Sequence, residues 1–201
     1  KLMLGQFATE LLDEGMKFSP DKDVVAMIND RISAIDSLLT DHLNAIMHDP
    51  DFQSLEAAWT GLKDMVFGTE TGPKLKLRLL NVSKKELLKD LETAVDYDMS
   101  NLFKKVYEDE YGTFGGSPYS MLLSDFYFSR HPQDISLLER ISKVAAAAHA
   151  PFVAAADPAL FDMKAFTELG TPRDMSKIFE SAELVTWKAF RDSEDSRYVS
   201  L

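Results

Sequence analysis

Residues 121–156 read MLLSDFYFSRHPQDISLLERISKVAAAAHAPFVAAA, and this stretch decides the fold. Met121 to Phe128 is apolar-rich and strand-like. His131-Pro132 opens a helix running to about Ala148, with proline where the first turn has no hydrogen bond to lose. Pro151-Phe152-Val153-Ala154-Ala155-Ala156 reads as a buried strand, and Asp157-Pro158 ends it with a helical turn. Working outward, Lys74-Leu75-Lys76-Leu77-Arg78-Leu79-Leu80-Asn81-Val82 alternates polar and apolar residues and reads as another strand. Ser83-Lys84-Lys85-Glu86 is a capping box ahead of a helix faced by Leu87, Leu88, Leu91 and Val95. A short helix over Ser100 to Glu110 and a Gly-rich loop over Tyr111 to Pro118 follow. Beyond residue 157, Thr171-Pro172-Arg173-Asp174 leads into a turn at Met175–Phe179, Ala182–Arg191 forms the last helix, and Arg197–Leu201 is extended. Helices alternating with strands predict an α/β body with a mixed, mostly parallel sheet.

The first third has a different character. From Val24 to Met47 the apolar positions Val24, Val25, Ile28, Ile32, Ile35, Leu38, Leu39, Leu43, Ile46 and Met47 fall mostly three and four apart. That is one stripe on one long helix. Ser19-Pro20-Asp21 is its start signal, and a shorter helix carrying Phe7, Leu11, Leu12 and Met16 is expected upstream, ending near Gly15. Asp49 caps a third helix with Pro50 at its first position; Phe52, Leu55, Trp59, Leu62 and Val66 lie along it, and it ends near Gly68. The expected organisation is a helical N-terminal arm over 1–72 and an α/β body over 73–201. An arm has little of its own body to bury a stripe against. Val24, Ile28, Ile32, Ile35, Leu39 and Leu43 are therefore the candidate partner-binding residues.

The chemistry of the composition is mostly exclusion. The chain has 201 residues, 22 basic against 33 acidic, a net charge of −11, and no cysteine. Strong acidity opposes gripping a phosphate backbone or an anionic membrane surface. Without cysteine there is no thiolate nucleophile, disulfide or Cys-ligated metal. No apolar run is long enough to span a bilayer. His42 and His48 are six residues apart on a helix, which puts them on opposite sides, and His131 and His149 stand alone, so no metal site is expected. Gly115-Gly116-Ser117-Pro118 is neither a nucleophile elbow nor a phosphate cradle. No catalytic or cofactor-binding residue is assigned. The competing reading is a small-molecule-binding or hydrolytic α/β domain that uses the 111–118 loop, with Asp125 as the carboxylate in an otherwise apolar strand.

Several ordered stretches resemble one family. They are Lys76 to Leu88, Phe103 to Gly116 (FKKVYEDEYGTFGG), Val144 to Phe152, Phe190 to Val199 (FRDSEDSRYV), and Asp51 to Leu62 with its Phe-Gln, Leu-Glu and Trp-x-Gly-Leu elements. Together they are similar to the large subunit of the contractile sheath of the bacterial type VI secretion system, the TssC/VipB family. The resemblance implies a cytoplasmic, non-enzymatic structural protein without cofactors. It implies pairing with a small sheath subunit (TssB/VipA-like), stacking with other copies of itself around an inner tube protein, contraction that propels the tube, and recycling of the contracted sheath by an AAA+ ATPase. Members are roughly twice this length or more, so the chain is expected to be an N-terminal fragment whose last residues interrupt a strand.

Overall fold

The computed structural model describes residue 9, residues 24–170 and residues 174–201. The expected helix at 7–15 and the Ser19-Pro20-Asp21 start signal lie outside the described residues. The chain divides into two compact units, 1–77 and 78–201.

Among the described residues the first unit carries the helices α1 (Val24–Met47) and α2 (Pro50–Gly68). The break between them is chemical. Asp49 adopts an extended backbone and its carboxylate accepts hydrogen bonds from the amides of Asp51 and Phe52, while Pro50 occupies the first turn. Thr69 then turns extended and ends α2.

The second unit is an α/β body. The helix α3 (Lys84–Thr93) starts with the full capping box: Ser83 Oγ accepts from the Glu86 amide, and Glu86 returns to the Ser83 amide. Ser100 caps α4 (Asn101–Phe103), which runs on as a π-helical stretch over Lys104–Glu108. Then come β1 (Leu122–Phe128), α5 (Pro132–Ala148) and β2 (Phe152–Ala156). The short helices α6 (Met175–Ile178) and α7 (Val185–Asp192) precede β3 (Val199–Ser200). Among the described residues the sheet has the order β1-β2-β3, and both pairings are parallel. Its register sets Leu122 beside Phe152 and Phe152 beside Val199. The register slips between Leu123 and Tyr127, where β1 bulges.

A right-handed crossover through α5 is the standard way to join two parallel strands. His149 lets α5 stop where it does: it sits at φ 52° in the left-handed region, and its amide reaches back to the carbonyls of Ala145 and Ala146. The core lies where α5 meets the sheet and α3. Ile135, Leu137, Leu138, Ile141, Val144 and Ala145 from α5 are all buried, together with Leu91, Phe128, Phe152 and Leu160. The alanine run Ala145–Ala148 puts Ala145 and Ala148 inside this core, where small side chains let the helix lie close. Asp134 at the first turn of α5 fastens the helix to its surroundings. It takes hydrogen bonds from the Ser129 amide and hydroxyl and an ion pair from Lys84 at 2.6 Å. Burial pushes its pKa up, but the Lys84 hydrogen bond, the two Ser129 bonds and the Lys84 charge outweigh that and hold the carboxyl below the ordinary aspartate range.

Two expectations are corrected. Lys74–Val82 does not form a strand. It holds one isolated antiparallel bridge, Gly72 to Leu75, and no ladder. Its leucines 75, 77, 79 and 80 are exposed. The alternation is that of a half-buried strand, but a strand needs a neighbour's backbone, and none of the described residues supplies one. The C-terminal strand is also shorter than expected. Glu194–Tyr198 winds into a 3₁₀ turn, and only Val199 and Ser200 pair with β2.

Candidate interaction surface

Neither α1 nor α2 has a buried side chain among the described residues. A soluble helix normally hides one apolar stripe. Here Ile28 is 38% exposed, Ile32 50%, Ile35 45%, Leu39 54% and Leu43 56%. Val24 lies in the first turn of the same helix. Steps of three and four residues place these positions on one face, as the sequence predicted, and that face is open. Val25, Ile32, Leu39 and Ile46 recur every seven residues, and Ile28 and Ile35 do the same. That spacing suits a seam against another helix.

The second helix carries a similar face that the sequence reading did not assign. Phe52, Leu55, Trp59 and Val66 are all exposed, Trp59 to 62%. Their spacing of three, four and seven residues was the available signal. Periodicity alone does not say whether an apolar face is covered from within the chain or from outside. Trp and Phe are also the residues most enriched where proteins meet.

The competing small-molecule reading fails on the 111–118 loop. The loop is tied into itself. Glu110 accepts a hydrogen bond from the Ser117 amide and pairs with Arg78, whose guanidinium also lies over the Tyr119 ring. Gly115 takes φ 82°, and a Cβ on Gly116 would stand 2.1 Å from the Glu110 carbonyl oxygen. The glycines are there so that the turn can close on Glu110. Asp125 is exposed on β1. An open depression of about 660 Å³ lies elsewhere, beside Tyr97, Phe103, Tyr107 and Ala147. No group of three or more His, Asp or Glu side chains among the described residues is arranged to hold a metal. His48 bonds the Asn44 carbonyl of its own helix, and His131 and His149 cap the two ends of α5. No helix among the described residues is long and apolar enough to cross a membrane.

The described residues thus present an α/β body and two helices with exposed apolar faces. Comparison with known proteins gives that class a family. Residues 29–201 match the VipB family, described as "EvpB/VC_A0108, tail sheath N-terminal domain". The chain is also 48% identical over 181 residues to the type VI secretion system sheath protein TssC1 of Pseudomonas aeruginosa. That match covers 89% of this chain and 36% of the relative, so the chain spans about a third of its relative's length. The chain belongs to the VipB tail sheath family.

Proposed function

We propose that the chain is part of a structural subunit of the contractile sheath of a bacterial type VI secretion system. In this reading it is a cytoplasmic protein that catalyses no reaction. It assembles with a small sheath subunit of the TssB/VipA kind and with further copies of itself around an inner tube, and contraction of the assembly drives the tube. A recycling AAA+ ATPase acts on the contracted form. The observation that carries the proposal is the open stripe on α1, joined to membership of a sheath family. An isolated protein has no use for a 24-residue helix with an exposed apolar face, whereas a lattice subunit does.

Ile28, Ile32, Ile35, Leu39 and Leu43, with Val24 at the start of the helix, form the docking stripe for the small subunit. The test is co-expression of the small subunit with a sheath protein of full family length in which residues 24–48 are deleted. The small subunit is expected to be lost from the purified complex while the body remains folded. Co-purification in unchanged yield would refute this assignment of the stripe.

A further inference from the structure

Where the chain passes from α3 into α4, aromatic rings stand in a row. Tyr97 meets Phe103 edge-on at 5.8 Å, and Phe103, Tyr107 and Tyr111 stack at 4.9 Å and 5.0 Å. The π-helical stretch Lys104–Glu108 runs through them: the amides of Asp109 and Gly112 donate to the carbonyls of Lys104 and Tyr107. Such turns are rare and frequently sit at functional sites. Buried Ser100 pins the row, its hydroxyl donating to the Tyr97 carbonyl at 2.7 Å and accepting from the Phe103 amide at 3.1 Å. The Asp96 carboxylate accepts from the Tyr97 amide at 2.8 Å. The rings are therefore fixed before anything binds to them.

Tyr97, Phe103 and Tyr107 line the open depression of about 660 Å³. Ala147 of α5 lines it too, a small side chain that leaves the space unfilled, and so does Met99, which is 61% exposed. A second depression, of about 310 Å³, shares Tyr97 and Ala147 with the first. Asp98 and Glu108 line the first with Lys104, and Asp96 and Asp195 line the second with Lys143. Lys143 is drawn in addition to Glu139, 3.8 Å away. Four carboxylates against two ammonium groups, in a chain of net charge −11, set a negative field over the rings. Ring faces are negative as well and attract ammonium and guanidinium groups. The chain makes that contact internally, where Lys84 Nζ lies 4.5 Å from the centre of the Phe128 ring.

We propose that the two depressions form one docking groove for a basic segment of a different protein, whose Lys or Arg side chains lie over Tyr97 and Tyr107 between the carboxylates. Charge complementarity selects this occupant. A nucleic acid would be repelled, and a second copy of the chain would bring its own excess of negative charge. A small molecule needs most of its surface enclosed, which an open depression does not supply. Contact with the rings and Met99 supplies apolar area, and the carboxylates set register and on-rate. The inference rests on the assembling role proposed above. It adds a surface in the second unit, whereas the stripe on α1 belongs to the first.

The experiment is photocrosslinking in cells that assemble sheaths from a protein of full family length carrying this sequence, with Met99→p-benzoylphenylalanine as the probe. Met99 is exposed, so the replacement spares the core. Ultraviolet light is expected to join the probe to a peptide of a different protein, with Lys or Arg within one helical turn of the joined residue. Adding Asp98→Lys and Glu108→Lys is expected to lower the yield on the order of 10-fold, and Lys104→Glu to leave it equal or raise it. A crosslink to the sheath protein's own peptides, to a peptide without Lys or Arg, or to nothing overturns the inference. So does a yield that ignores the charge reversals, or one that Lys104→Glu lowers as much as they do. A parent protein that forms no sedimentable sheath refutes the assembling role and the groove with it, whereas sheaths that sediment normally without the crosslink refute the groove alone.

Discussion

Replacing Ile32, Ile35 and Leu39 together by alanine separates a docking stripe from a core. The three side chains are 50%, 45% and 54% exposed, so about half of each surface is left for a partner to cover. Full burial of such a side chain contributes about 1.5–3 kcal/mol, so the uncovered half is worth about 1 kcal/mol each. The triple variant should lose about 3 kcal/mol of binding, or roughly 100-fold in Kd, at about 1.4 kcal/mol per decade. Its own stability should hardly change. Alanine is the best helix former, and no cavity opens because none of the three is buried. Were the stripe packed inside the protein instead, three such truncations at about 2–5 kcal/mol each would lower Tm by more than about 10 °C in a chain of this size. Titration calorimetry against the small sheath subunit, beside circular-dichroism melting of the variant alone, reads both quantities. An unchanged Kd, or a melting point that collapses before any partner is added, would refute the reasoning.

Three further outcomes follow from the body and α2. Leu138, fully buried on α5, should cost about 2–5 kcal/mol when cut to alanine, visible as a lower urea midpoint with an unchanged slope. Gly116→Ala, whose new Cβ meets the Glu110 carbonyl, should destabilise by about 1–3 kcal/mol, whereas Gly61→Ala in α2, with open space around it, should raise helicity by circular dichroism. Equal effects of the two glycine substitutions would contradict the turn geometry. Asp134 has a folded pKa depressed below its unfolded value, so its contribution is fully present above about pH 4 and is lost as pH falls through the still lower folded pKa. Asp134→Asn should therefore flatten the acid limb of the stability curve below about pH 4, and an acid limb identical to that of the parent would remove Asp134 as its source.

Much of the fold was legible because its signals are local. Asp49-Pro50, Ser83 with Glu86, and His131-Pro132 each satisfy orphan amides at a helix start with atoms a few residues away, and all three helices begin where those residues stand. The βαβ unit was legible for a similar reason: Phe128 and Phe152 bracket a helix of the right length to cross back over the sheet. The Gly-rich loop was legible as a turn but not as a turn built on Glu110, because Arg78 and Ser117 meet that carboxylate from opposite directions in the sequence.

What sequence periodicity does not encode is the other half of a contact. Lys74–Val82 has the period of a strand and α1 has the period of a packed helix, yet Leu75, Leu77, Leu79 and Leu80 of the one and the apolar stripe of the other are exposed. An apolar period records that a face is covered in the working protein, and it is silent on which polypeptide does the covering. For α1 the seven-residue recurrence of Val25, Ile32, Leu39 and Ile46 narrows the cover to another helix. Catalytic sites concentrate polar groups in a closed cleft, and here the conspicuous unsatisfied surface is apolar and extended, which is what an assembling subunit keeps for its neighbours.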